Sequence, residues 1–342
     1  MDWKYALFCP PGLRGILEED LNQRWKNRIT PLGGDESLLV CSAEVNPAEV
    51  VKLPFPSFLV ISQKEFSPAT SLSKIIYDLV NPEVLRKLQK FIPLPNSHHR
   101  SFRVMAPKEG KLIPLNPQLR RKIENQIRET FHLQHNPQRA DNEFWIIIRR
   151  EGLSFLGLKL RPGEKRERGE LSAAVAYLLN AFSRPRPEDV FLDPFAGTGA
   201  IAVSRAKYFP TQRIIASDNN SQLLNRLKQR LRRYPNTQIF LADALNMNEI
   251  PDSSVEVIVT DPPWGEYQPL LFPPFYFYQK MLEEFKRVIK ENGRIVVLIG
   301  RTQEEDFEKA AEATRLSVRE KLNVLIAGRK ANIYLFDFKS GK

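Results

Sequence analysis

The chain has 342 residues, enough for two or three domains with real cores, and 42% of them are hydrophobic, as in ordinary globular proteins. No apolar run reaches the roughly 18 residues of a transmembrane helix, and the opening MDWKYALFCPPGLRGILEED lacks a signal peptide's apolar stretch. Two cysteines, Cys9 and Cys41, are too few for a disulfide framework, so a cytoplasmic location is expected, and the net charge of +11 points to a polyanionic partner.

Residues 1–185 hold 28 Lys+Arg against 20 Asp+Glu, and the remainder 23 against 20, so most of the excess positive charge lies in the first half. That half mixes strands and helices without βαβ rhythm, which suggests an α+β arrangement. Helical spacing runs over 12–25 and 116–134, and strands are expected over 143–150 and 153–160 around a turn at Glu151-Gly152. A basic segment, RPGEKRERGE (161–170), leads into an apolar helix over 171–182, and SRPRPED (183–189) breaks it with two prolines.

From residue 190 strands and helices alternate. Strands are predicted over 190–195, 213–218, 237–243, 255–261 and 293–300. Helices are predicted over 200–209, 221–234, 275–292 and 304–314. Continuous apolar strands between helices mean a mostly parallel sheet covered on both faces. The last two strands, 319–328 and 331–338, read as an antiparallel hairpin turning at Arg329-Lys330.

The string DPFAGTG, Asp193 to Gly199, follows a buried strand and precedes a helix. Its glycines allow a tight turn and close approach of a ligand, and the helix N-terminus can face an anionic group. Alone this is a weak signal, shared with dinucleotide-binding folds. Asp218 ends the next strand, where an acid can accept both ribose hydroxyls. Asp243 ends the third, placed to accept from an adenine amino group. DPPWG, Asp261 to Gly265, ends the fourth, so four acids stand at the carboxyl ends of consecutive strands. The first turn is not GxGxxG and there is no GxxxxGK[ST]. His98, His99, His132 and His135 have no companions at metal-ligand spacing, so no metal is expected.

DPPW resembles the D/N-P-P-Y/F/W motif of amino-methyltransferases. An exocyclic base amine is a poor nucleophile because its lone pair is delocalised into the ring. The Asp261 carboxylate and the Pro262 carbonyl can accept its two N–H groups, consecutive prolines stiffen that carbonyl, and Trp264 offers a face for an extruded base. Positioning is then the main catalytic device, without a covalent intermediate.

DPFAGTG followed by DPPWG resembles the Rossmann-fold methyltransferases, and the whole chain resembles the THUMP-domain RNA guanine-N2 methyltransferases. YALFCPPGLRGILEEDL (5–21) is similar to the opening of that family's ferredoxin-like unit. SFRVMAPKEGKL (101–112), the helix from Asn116 and 143–160 are similar to the THUMP core, and 161–180 to its connecting segment. The resemblance implies a ferredoxin-like domain over 1–65, a THUMP domain over 66–160, a linker helix over 161–185 and a Rossmann-fold methyltransferase domain with a seven-stranded, mostly parallel sheet over 186–342. It implies S-adenosylmethionine as cofactor, held by Asp193, Phe195, Ala196, Gly197, Thr198, Gly199, Asp218, Asp243 and Ala244. It also implies catalysis by Asp261, Pro262, Pro263 and Trp264. Two departures stand out: Trp264 where the family more often has Tyr or Phe, and Glu167 and Glu170 within the connecting segment.

The expected partner is RNA, tRNA above all. Arg120, Arg121, Lys122, Arg128, Arg149 and Arg150 are candidate phosphate contacts, though each taken alone reads more readily as part of a solvated helix or strand face. The run Lys228, Arg230, Arg232 and Arg233 reads as a helix's outer face. Competing readings are a ribosomal RNA guanine-N2 enzyme, a DNA adenine-N6 or cytosine-N4 methyltransferase, and a non-catalytic RNA-binding factor.

Overall fold

The computed structural model describes residues 3–65, 67, 70–80, 82, 85, 101–108, 111–112, 115–149, 153–161, 170–265, 270 and 272–338. The chain forms two compact units, one of residues 1–9 and 21–163, the other of residues 10–20 and 164–342.

The first unit is built on one sheet. Its strands are β1 (Trp3–Phe8), β2 (Ile29–Asp35), β3 (Leu38–Ala43), β4 (Ser57–Glu65), β5 (Ser101–Met105), β6 (Pro107–Lys108), β7 (Lys111–Leu112), β8 (Gln134–His135), β9 (Asn142–Ile148) and β10 (Leu153–Arg161). The order is β2-β3-β1-β4-β10-β9-β5-β8, with β6 beside β9 and β7. The boundary expected at 65/66 therefore runs through a sheet: β4 pairs antiparallel with β10, from Leu153 opposite Glu65 to Arg161 opposite Ser57. The pairing satisfies β4's second edge, which would otherwise be an open hydrogen-bonding row. It also joins Ala6, Val40 and Phe58 to Ile147 and Phe155 in one core. Helix Pro117–Phe131 starts on the Asn116 side chain, which accepts from the Gln118 N–H at 2.9 Å, and buries Ile123, Ile127 and Phe131.

In the second unit the expected alternation holds, and 213–218 falls on a strand of those bounds. The strands are β11 (Val190–Asp193), β12 (Arg213–Asp218), β13 (Thr237–Leu241), β14 (Val255–Thr260), β15 (Ile289–Gly300), β16 (Val318–Ile326) and β17 (Arg329–Asp337). They form a seven-stranded sheet in the order β13-β12-β11-β14-β15-β17-β16, parallel from β13 to β15 and antiparallel beyond. Buried Leu192, Ile258, Val297 and Tyr334 pack with Tyr278, Leu282 and Phe285 of helix Pro274–Val288 and Phe307 of helix Glu304–Ala313.

Two boundaries shift for local reasons. The helix expected to reach 292 ends at Val288, because buried Ile289 pairs with Val255 of β14. The hairpin turns at Ala327-Gly328, not Arg329-Lys330. Both turn residues have positive φ (+53° and +83°), the two-residue geometry that matches strand twist, and Arg329 pairs with Ile326. The segment expected as a linker carries helix Ala173–Phe182, buried within this unit and started by Ser172.

Residues 10–20 also belong to the second unit, although the sequence groups them with the first domain. The Leu325 N–H donates to the Pro11 carbonyl at 3.1 Å, and the Tyr177 hydroxyl donates to the Asp20 carboxylate. Gly12, at φ +91°, lies so close that a Cβ there would stand 2.2 Å from the Asn323 carbonyl oxygen.

Candidate active site

From β11 the chain steps outward to β12 and β13, then returns to place β14 on the other side of β11. At such a reversal the connections diverge and leave a crevice at the carboxyl ends of the strands, where open α/β sheets bind ligands. Asp193 ends β11, Asp218 ends β12, and Asp261 follows β14 directly.

Asp193 is buried. Its Oδ1 accepts the Thr260 hydroxyl at 2.9 Å, while its Oδ2 is buried with no hydrogen-bond partner among the described residues. Burial pushes its pKa up to about 8 against the bonds from Thr260 and the Phe195 N–H, and the charges of Asp218 and Asp261 push the same way.

The turn after it is held by backbone groups. The Ala196 N–H donates to the Ser217 carbonyl at 2.9 Å, and the Gly197 N–H to Asp218 Oδ2 at 2.8 Å. Gly197 needs its φ of +52°, and a Cβ built there would meet nothing within 4 Å, so the space beside the turn is open. Gly199, at φ +93°, begins helix Ala200–Tyr208. Asp218 Oδ1 also accepts the Asn220 N–H at 2.9 Å, so each oxygen of this carboxylate holds one backbone N–H and keeps a second lone pair. Asp243 lies just past β13, exposed, accepting the Leu245 N–H at 3.0 Å; Ala244 beside it is buried.

In the DPPWG loop, Asp261 is half-buried and Oδ1 accepts the Trp264 Nε1–H at 3.0 Å. Burial raises its pKa to about 7, against the Trp264 bond. The Tyr278 hydroxyl donates to the Pro263 carbonyl at 3.4 Å, and the Gln303 amide to the Trp264 carbonyl at 3.0 Å. The indole lies over Gly300, where a Cβ would stand 2.7 Å from its Cε3. One face of Trp264 is thus covered by backbone, so the expected stacking surface has a single side.

Sequence reasoning missed Thr260, Tyr278, Gly300 and Gln303. Only Thr260 had a signal, its place before Asp261 at the end of an apolar strand. It also missed a clasp on the glycine turn. Arg230 donates to Glu170 at 2.8 Å and to the Thr198 carbonyl at 3.0 Å, and the Thr198 hydroxyl lies 3.3 Å from Glu170. Arg230 is therefore more than a residue of an outer helix face. Glu167 and the rest of 162–169 lie outside the described residues.

The candidate RNA contacts belong to the first unit. Arg120, Arg121, Lys122 and Arg128 are exposed on helix Pro117–Phe131. Arg120 Nε contacts Glu124 at 2.7 Å, and Lys122 Nζ lies 4.5 Å from the Tyr77 ring centre. Arg149 is instead half-buried, held by Asp35 and by the Ser37 hydroxyl at 2.9 Å; hydrogen bonds from the Ser37 N–H and hydroxyl, with Arg149 after them, keep the Asp35 carboxyl below its usual range despite burial. Arg150 lies outside the described residues, as do His98 and His99. His132 closes that helix at φ +54°, and His135 Nε2 lies 3.2 Å from Glu124. Among the described residues no three His, Cys, Asp or Glu side chains are placed to hold a metal ion, and no helix is long and apolar enough to cross a membrane.

The family described as RMKL-like, methyltransferase domain, matches residues 163–332. A mouse tRNA (guanine(6)-N(2))-methyltransferase, THUMP3, is 30% identical over 182 residues, 48% of this chain and 35% of the relative. A Thermus thermophilus tRNA (guanine(6)-N2)-methyltransferase is 28% identical over 208 residues, 58% of this chain and 62% of the relative. The matched stretches thus span from about a third to under two thirds of these relatives' lengths. The crystal structure of TrmN from Thermus thermophilus shares the fold with a TM-score of 0.74 over 98% of this chain and 99% of that one, at 19% identity. Residues 163–332 are therefore a methyltransferase domain of the RMKL-like family.

Proposed function

We propose that the protein is an S-adenosylmethionine-dependent enzyme that methylates the exocyclic N2 of a guanine in RNA, with tRNA as substrate. The observation that carries this reading is the meeting of two devices at the strand-order reversal: the Asp193–Gly199 turn with Asp218, and the Asp261–Trp264 loop. The names of the relatives supply the base, atom and RNA class.

The residues fit the cofactor. Asp193, Asp218 and Asp261 stand close enough for the charges of the latter two to raise the pKa of Asp193, and one Asp193 oxygen is buried without a partner. Such a cluster favours a cation, and the cofactor carries both an ammonium and a sulfonium. Asp218 would hold the ribose hydroxyls on its remaining lone pairs, Asp243 and Ala244 the adenine, and the 193–199 turn the methionine end. When bound, S-adenosylmethionine supplies an electrophilic methyl group on a positively charged sulfur.

The loop acts on the nucleophile. Asp261 and the Pro262 carbonyl accept the two N–H groups of the amine, which draws its lone pair out of conjugation and fixes its direction. Among the described residues no donor is bonded to the Pro262 carbonyl, whereas those of Pro263 and Trp264 are tied to Tyr278 and Gln303. A carboxylate that titrates near neutrality is suited to take the proton leaving the methylated nitrogen. The first unit would bind the RNA, its halves corresponding to ferredoxin-like and THUMP parts on a shared sheet. The exposed basic residues of helix Pro117–Phe131 would meet phosphates.

The test is incubation with radiolabelled S-adenosylmethionine and, separately, unmodified tRNA, ribosomal RNA and DNA, followed by identification of the labelled nucleoside. N2-methylguanosine in tRNA is the expected product. N6-methyladenine in DNA, or no label in any RNA, overturns the reading.

A further inference from the structure

The loop that presents Asp261 carries a tryptophan whose surroundings are specific to an indole. Its Nε1–H reaches Asp261 Oδ1 at 3.0 Å, and no other described side chain donates to that carboxylate. The ring lies on Gly300, where a Cβ would stand 2.7 Å from Cε3, 2.8 Å from Cδ2 and 3.1 Å from Cγ, too close for any residue but glycine without moving the indole. The backbone on either side is fixed: Pro263 by Tyr278 and Trp264 by Gln303. The indole thus has a floor, two backbone anchors and one polar contact, which is the carboxylate.

We infer that Trp264 is a positioning residue whose indole N–H, seated by Gly300, holds one oxygen of Asp261 and leaves the other as the acceptor for the substrate amine. This rests on the methyl-transfer reading of the site. A carboxylate free to rotate presents either oxygen in many directions, and amine activation needs one lone pair in one place. Phenylalanine has no donor to do this, and a tyrosine hydroxyl sits at the far end of the ring. The charge environment gives the clamp a second effect. Asp261 is pressed toward neutrality by burial. Around it stand Asp193 from β11, Asp218 next to that, and Tyr278, which itself feels Asp261 and Asp306. A bond to the ionised form opposes that pressure and keeps the acceptor charged over more of the neutral range.

The experiment compares the wild type with W264F and G300A, the second keeping the indole and displacing its seat. Aspartate carboxyl carbons are labelled and followed by NMR from pH 5 to 9, with D261N identifying the Asp261 signal. Methyl-transfer pH profiles are taken on the same proteins. The Asp261 midpoint should rise by about one pH unit in W264F and in the same direction in G300A. The acid limb of kcat should move with it, while KM for RNA changes less than about twofold. An unmoved midpoint in both variants overturns the clamp. So does a raised KM for RNA with an unmoved acid limb, which would make the indole a stacking surface only. Should W264F fail to fold, G300A decides the matter. If the wild type methylates no RNA, the substrate reading falls while the carboxyl titration still settles the clamp.

Discussion

Thr260 and Asp193 face each other across the strand-order reversal, and the threonine hydroxyl is the only side-chain donor to that buried carboxylate among the described residues. Removing it with the near-isosteric T260V leaves the acid more easily neutralised. Cofactor affinity should drop by about one order of magnitude, the worth of one hydrogen bond to a charged group. Calorimetric titration of the variant with S-adenosylmethionine checks this; unchanged affinity would mean Asp193 does not act on the ligand.

Cofactor binding should depend on pH. In the free protein burial holds the Asp193 carboxyl up near 8, and a cationic ligand favours its ionised form, so a proton must leave on binding. Affinity should rise with pH through the window from about 6.5 to 8.5, by roughly tenfold or more, and level off above it. Calorimetry in buffers of different ionisation enthalpy should show proton release at neutral pH. A flat profile would mean Asp193 is already ionised.

Asp261→Ala should abolish methyl transfer and leave cofactor affinity within a few-fold of the wild type, because the acid acts on the substrate amine. Loss of both together, read by single-turnover assay and ligand titration, would put the chemistry elsewhere.

A buried triad holds the start of β11 to β15. Asp189 is paired with Arg205 Nη2 at 2.7 Å and with Arg294, all three nearly sealed from solvent. Asp189→Ala strands two buried guanidinium groups and should cost about 3–5 kcal/mol in urea unfolding. Arg205→Met with Arg294→Leu and Asp189→Leu together should cost less than that single change.

Arg121→Ala with Lys122→Ala should weaken RNA binding and reduce the salt slope of its association constant by roughly one to two, with kcat unchanged. Arg149→Ala should do neither and should instead lower the melting temperature, since Arg149 serves Asp35. Filter binding over a salt series separates the two.

The second unit was legible because its central strands β11, β14 and β15 carry long apolar runs and its acids fall at strand ends, so periodicity and motif reinforced each other. The helix end at Val288 was not, because FKRVIKEN continues a helical pattern and only the pairing of Ile289 with Val255 stops it. Trp264 illustrates the limit at the site: its type suggests stacking, but its seat on Gly300 comes from a second part of the chain, and its contact with Asp261 depends on how the loop folds over that seat. Arg149 shows the same for charge, since Asp35 lies more than a hundred residues away. The sheet shared by β4 and β10 escaped notice because pairing between distant strands leaves no local trace.

The packing of residues 10–20 against Asn323, Leu325 and Tyr177 makes the catalytic half discontinuous in the gene. A ribosome delivers this segment some three hundred residues before its seat on β16, so the methyltransferase unit closes only after β16 has emerged. Dissection at residue 164 would discard buried Leu13 and Leu17 along with the first half, and the fragment left would be an opened fold instead of an autonomous enzyme.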